Sequence, residues 1–124
     1  MTHDQSTPVR WVASSRADLK SFPEEVQADV GYGLWLAQLG EQAPQTKSLK
    51  GIVTGSGILE IVERHDGNAF RLVYTIRFRD AIYVLHAFQK KSRRGAKTPQ
   101  HEIDLIRARY KSAEAHYQTH GGTP

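Results

Sequence analysis

The sequence predicts an α+β domain, a mainly antiparallel sheet with helices on one face, in the order β–α–α–β–β–β–α. Three observations lead there. Residues 57–88 hold three strand-like runs in quick succession, divided by the turn signals Asp66-Gly67-Asn68 and Arg79-Asp80. Residues 15–40 and the stretch after Thr98 carry apolar residues at helical spacing. The 124 residues show no internal repeat, low-complexity tract or linker, which fits a single domain over 1–124 with 1–8 and 118–124 as flexible tails.

Taken in order, Val9 to Ser14 alternates weakly and reads as a short first strand. Residues 15–40 form two helical pieces with a break near Phe22. Pro23 suits a first turn, and Ser21 with Glu24 has capping-box spacing. Val26, Val30, Leu34 and Ala37 make the inward stripe, widened by Leu36 and Leu39. Gly31 and Gly33 lower helix stability but let a helix approach a sheet closely, and Gly40 is the expected C-cap. Residues 41–56 read as a polar loop bearing Lys47 and Lys50. Strands follow at 57–65, 69–78 and 81–88. In the second of these, Phe70, Leu72, Tyr74, Ile76 and Phe78 share a face buried under the helices, while Arg71, Val73, Thr75 and Arg77 share the other, which needs no helix over it. Ile82 to Phe88 is apolar on both faces and is predicted to be central, with the first strand as its second partner. Thr98 caps the last helix, Pro99 fits its first position, and Glu102 and Asp104 complement its N-terminus. Ile103, Ile106, Tyr110, Ala113 and Tyr117 form its apolar stripe.

The chain has no cysteine, which excludes disulfides and thiolate metal sites. Its N-terminus lacks an apolar core of signal-peptide length, and no apolar run approaches the roughly 20 residues that span a bilayer. A cytoplasmic protein without a membrane partner is expected. Lys and Arg outnumber Asp and Glu by 17 to 13, a formal charge of +4. Five of the eight residues from Lys90 to Lys97 are basic and none is acidic, so this segment alone exceeds the whole excess. Such a field favours polyanions, nucleic acid above all, or an acidic protein; a solvated loop is the plain alternative. On the uncovered sheet face, Arg71 and Arg77 stand near Glu60, with Lys90 and Lys91 at the rim. Basic groups so placed bind phosphates and stabilise charge that develops in phosphoryl transfer. The competing reading of Arg71 and Glu60 is an ordinary exposed cross-strand pair. His86, in an apolar strand, reads first as a core histidine and second as an acid–base group. His116 and His120 are four apart, but no carboxylate completes a metal set, so no metal or other cofactor is expected. Trp11, Trp35, Tyr74 and Tyr83 read as packing residues.

The ordered set FPEEV (22–26), KSLKG (47–51), ILEI (58–61), FRLVY (70–74) and LHAFQKKS (85–92), ending in TP (98–99) before a helix, resembles the RelE/ParE superfamily of toxins. More narrowly it resembles the phage-derived, HigB-like branch of type II toxin–antitoxin systems, over residues 9–117. The resemblance implies a RelE-type fold and a metal-independent endoribonuclease that cleaves mRNA in the ribosomal A site, the ribose 2′-OH attacking the neighbouring phosphate. It implies as partners the ribosome, mRNA and a cognate antitoxin, often a helix-turn-helix protein, with DNA met only through the antitoxin complex. Arg71 matches the family arginine at the scissile phosphate. Lys91 falls where related toxins place a basic residue after the last strand and is expected in the catalytic set with Arg71 and Glu60, while Lys90 flanks it and is expected to hold the RNA backbone. Lys47 and Lys50 fall in a basic loop suited to RNA backbone. Glu60 stands near a position where RelE has a lysine, and is a candidate base on the 2′-OH or an orienter of Arg71. Arg77, Arg93, Arg94 and Lys97 are expected to contact RNA, the last three alternatively the antitoxin. HigB-like and YafQ-like relatives rely on His and Asp, for which His65, Asp66 and His86 are the candidates. Two other readings stand: ParE-like inhibition of DNA gyrase by protein contact, and a decayed module that binds an antitoxin without toxicity.

Overall fold

The computed structural model describes residues 6–55, 57–91 and 98–120, with Lys91 described by its backbone alone. The elements are β1 (Val9–Trp11), α1 (Ser15–Lys20), α2 (Glu24–Gln38), β2 (Thr46–Ser48), β3 (Ile58–His65), β4 (Asn68–Thr75), β5 (Ile82–Lys91) and α3 (Gln100–His120). The strands form one sheet in the order β1-β5-β4-β3-β2. Its pairings are antiparallel except for β1 beside β5. The apolar β5 thus has partners on both edges, as its two-faced hydrophobicity predicts, and β1 is the second of them.

Local chemistry explains the connections. The β3–β4 hairpin closes through Asp66 (φ 50°) and Gly67 (φ 80°), with His65 paired to Asn68. Both loop residues are left-handed, the geometry that an Asp-Gly pair accommodates most readily. Between α1 and α2 the expected capping box does not form. Ser21 Oγ donates instead to the Asp18 carbonyl at 2.6 Å, so it closes α1, while Glu24 and Glu25 supply the acidic first turn of α2. The helix ends at Gly40 (φ 83°). There the Gly40 N–H donates to Ala37 O at 3.0 Å and the Glu41 N–H to Leu36 O at 2.9 Å, a Schellman closure.

Gly33 and Gly31 separate in role. A Cβ on Gly33 would lie 3.1 Å from Ile61 Cδ1 and 3.4 Å from Ala43 Cβ, whereas one on Gly31 would meet nothing within 4 Å. Gly33 is where α2 closes on the sheet. Gly31→Ala is expected to stabilise the fold by about 0.5–1 kcal/mol through helix propensity. Gly33→Ala should lose that gain to overpacking, which costs about 1–3 kcal/mol in a filled core. Urea midpoints of the two variants measure the contrast, and equal gains would refute the close approach.

Four expectations are corrected. Thr46–Ser48, read as loop, is an edge strand antiparallel to β3; three polar residues on an edge carry no hydrophobic alternation. The first strand stops at Trp11, because Ala13 turns the chain with φ 51°. The helices do not share one face. α1 and α2 cover Leu59, Ile61, Phe70, Leu72, Tyr74, Ile82 and Val84, whereas Ile106, Tyr110 and Ala113 of α3 pack on the opposite face against Ile58, Val73, Tyr83, Leu85 and Phe88. β4 ends at Thr75, so the alternation does not reach Phe78: Ile76 is 49% exposed and Phe78 joins the α3 cluster.

A bulge adds to this. Val73 pairs with His86 but Tyr74 with Val84, so Leu85 is the extra residue of β5. Arg109 of α3 donates to the Leu85 carbonyl at 3.1 Å. Of the two expected tails, residues 6–8 and 118–120 are described, while 1–5 and 121–124 lie outside the described residues. The Thr7 N–H donates to Gln38 O at 2.9 Å, the Ile82 N–H donates to Pro8 O at 2.9 Å, and α3 continues to His120. Among the described residues no helix is long and apolar enough to cross a membrane.

Candidate nucleic-acid interface

The sheet register assembles the site. Directly opposed residues share a face, so three successive rows lie on the α3 side. Lys47, Glu60, Val73 and His86 form one row, Val62, Arg71 and Phe88 the next, and Arg64, Ala69 and Lys90 the third. The α3 cluster takes Val73 from the first row and Phe88 from the second, and none of the charged residues of the three rows. Lys47, Glu60, Arg71, Arg64 and Lys90 therefore surround one end of this face: a patch of four cations around a single carboxylate.

At its centre, Arg71 Nη1 donates to Glu60 Oε1 at 2.7 Å. The side chains are only 11% and 7% exposed, which distinguishes them from an ordinary exposed strand pair. Charges this far from water are held by their mutual attraction and lose heavily if one is removed. Arg71 Nε is buried with no hydrogen-bond acceptor among the described residues, a desolvated donor beside an open basic patch. Burial, then repulsion from Arg71 and Lys47, pushes the Lys90 ammonium below its usual range, with Glu60 pulling the other way. Lys90 thus feels Lys47, Glu60 and Arg71 together, although the four come from different strands.

Other candidates lie elsewhere. Lys91 pairs with Asn68, one step beyond the row that holds Lys90, and Arg93, Arg94 and Lys97 lie outside the described residues. Lys50 is exposed on the loop after β2, a loop that Arg107 ties to α3 by donating to Gly51 O at 3.0 Å and Ile52 O at 2.9 Å. Arg77 is not brought to Arg71. It follows the end of β4, donates to Thr54 O at 3.1 Å and lies 5.9 Å from the Tyr110 ring centroid. Arg64 is the cation that the sequence reading left out of the site. Its signal is strand phase, since Arg64 stands four residues from Glu60 along β3 and so shares its face.

Among the described residues no histidine is hydrogen-bonded to Arg71 or Glu60. His86 is buried, with Nε2 2.6 Å from Glu102 Oε1 and Nδ1 3.3 Å from Arg109 Nη1. A guanidinium only donates and a carboxylate accepts, so the proton sits on Nε2 and both nitrogens are engaged. His86 stacks on Phe88 at 4.8 Å and ties the first turn of α3 to β5, a core role. His65 and Asp66 lie at the hairpin tip, in a groove of about 790 Å³ that also reaches His86 and Glu102 but neither Arg71 nor Glu60. Trp35, expected to pack inward, is exposed on α2. His116 sits 2.7 Å from the Tyr83 hydroxyl and stacks on His120.

On the opposite face, burial first, then Asp29 by hydrogen bonding and repulsion, raises the Glu63 carboxyl above its ordinary 4.5. A carboxyl raised by folding favours the fold while protonated and loses that contribution as pH rises through its folded value. Glu63→Gln is therefore expected to raise the melting temperature at pH 7, with the gap closing as pH falls below about 4.5. A pH series of thermal melts on both proteins measures this; a gap that widens on acidification would refute it.

A model of a phage-derived protein family, described as Gp49-like (DUF891), matches residues 17–111. Among solved structures, the chain is similar to one from the crystal structure of the toxin–antitoxin complex RelBE2 of Mycobacterium tuberculosis. The two share 20% identity over 74% of this chain and 100% of the other, with a TM-score of 0.44. No curated protein matches the sequence.

Proposed function

We propose that the chain, which belongs to the phage-derived Gp49-like family, is the toxin of a type II toxin–antitoxin system and an endoribonuclease that cuts mRNA in the ribosomal A site, as the resemblance of its sequence to the RelE/ParE superfamily implies. The observation that carries this reading is the Glu60–Arg71 pair, at 2.7 Å and nearly buried, beneath a patch of cations.

The chemistry asks little else of the protein. The ribose 2′-oxygen attacks the adjacent phosphorus as its proton leaves. The bond to the 5′-oxygen of the next nucleotide breaks, and charge builds on the non-bridging oxygens. A fixed guanidinium facing those oxygens stabilises that charge without reorganising. In this reading Arg71 is the catalytic cation, Glu60 holds its guanidinium in place, and Lys47, Lys90 and Arg64 grip the flanking phosphates. Lys50, Lys91, Arg93, Arg94 and Lys97 extend the contact to RNA. Arg77, whose guanidinium is engaged with the loop before β3, is not assigned to the RNA. His86, whose two ring nitrogens are engaged by Glu102 and Arg109, is not assigned as the proton acceptor for the 2′-OH. The cytosol is the compartment, and a cognate antitoxin, a helix-turn-helix protein, is the controlling partner.

The test is a purified cell-free translation reaction, with mRNA 5′ ends mapped after brief exposure to the protein. New ends aligned to the ribosomal A site are expected. Intact mRNA on elongating ribosomes would overturn the nuclease reading. Growth arrest with DNA damage and uncut mRNA would replace it with gyrase inhibition.

A further inference from the structure

We propose that the outward face of α2 is a docking seam for a basic amphipathic helix of a partner protein. The helix is apolar on two opposite faces. Val26, Val30, Gly33, Leu34 and Ala37 point into the core. Ala28, Tyr32, Trp35 and Leu39 are exposed, and at 3.6 residues per turn their centre lies about 180° from the buried one. The exposed set is spaced 4-3-4, the a/d repeat by which helices pair.

This is not scattered surface hydrophobicity. Tyr32, Trp35 and Leu39 are 59%, 48% and 42% exposed, three of the four large apolar residues most exposed among the described residues. The Tyr32 and Trp35 rings already sit together, with centroids 5.7 Å apart. Trp and Tyr are enriched among the few residues that carry most of an interface's binding energy. Beside them Gly31 leaves open space, which lets another helix come close.

Charge selects the occupant. The chain carries a net +4, yet the charged residues of α2 are Glu24, Glu25 and Asp29 alone, and Glu41 follows its C-terminus. A second copy of α2, laid antiparallel, would set Glu24 and Glu25 against Gln38 and Glu41 with no cation to answer them. A helix with apolar residues at a and d and Lys or Arg beside them meets both the apolar seam and the acidic flank. The seam lies on the sheet face opposite Arg71, and its assignment does not rest on the nuclease reading.

The experiment uses the full chain and two synthetic peptides of roughly three heptads. Both carry Leu at a and d with Ala elsewhere; one has Lys at e and g, the other Glu. Calorimetry and ¹⁵N NMR follow the titration. Saturable binding of the Lys peptide is expected, with amide shifts centred on residues 24–41. Binding should weaken by about tenfold or more for the Glu peptide and for Trp35→Glu, with Trp35→Ala as the milder second variant. Both variants alter an exposed position, so thermal melts should match the parent. No saturation below about 1 mM, equal affinity for both peptides, or shifts centred on β4 and β5 would overturn the proposal. So would a dimer of the chain alone, seen in sedimentation, that Trp35→Glu splits.

Discussion

On the proposed nuclease reading, replacing Arg71 with alanine is expected to slow mRNA cleavage on elongating ribosomes by about 10²–10³-fold, the loss typical when one preorganised charge-stabilising donor is removed. The same substitution leaves Glu60, 7% exposed at its side chain, as an unpaired carboxylate, at a cost to stability of about 3–5 kcal/mol. A bare loss of activity is therefore ambiguous. The double variant Glu60→Gln with Arg71→Ala resolves it. Neutralising both partners should recover most of the stability but none of the cleavage, because the phosphate still lacks its cation. Full cleavage by a folded Arg71→Ala variant would remove the role assigned to Arg71. Recovered cleavage in the double variant would show that only folding was at stake.

Ile106→Ala carries the second large effect. Ile106 is fully buried on α3 against the sheet face that bears Val73 and Tyr83. Deleting three methyl-sized groups there should cost about 2–5 kcal/mol in urea unfolding. Were that face open to solvent, as strand alternation in the sequence implied, the change would stay within about 0.5 kcal/mol. A loss under about 1 kcal/mol would thus refute the packing of α3 on this face. The result matters for the site, because the first turn of α3 carries Glu102 onto His86 and marks where the covered face gives way to the basic one.

Much of the fold was legible because it rests on short-range rules. The α1–α2 break at Pro23, the Asp66-Gly67 hairpin, the glycine closure of α2 and the stripe of α3 each follow from residues within a few positions of one another. Even the non-local pairing of β1 with β5 was readable, since a strand apolar on both faces requires two neighbours. What could not be read was coverage. Alternation tells which residues share a face but not which face a helix will occupy, and Arg71, Val73 and Thr75 looked like a solvent face because Arg71 is charged. Val73 and Thr75 are fully buried.

The candidate site divides along the same line. Sequence alone marked Arg71, Glu60, Lys47 and Lys90, since residue type and strand phase are local properties. Tertiary structure decided that Arg71 and Glu60 form one nearly buried pair and that Lys90 keeps their company. It also placed Arg64 with them, removed Arg77, and showed both nitrogens of His86 to be engaged. Those outcomes depend on the register between strands, on the extra residue at Leu85 and on the landing of α3. Each is fixed by contacts between segments far apart in the chain, which compete only once the chain is folded. The sequence by itself determined the elements and the charges they carry; the packing of α3 decided which of those charges remain open to a ligand.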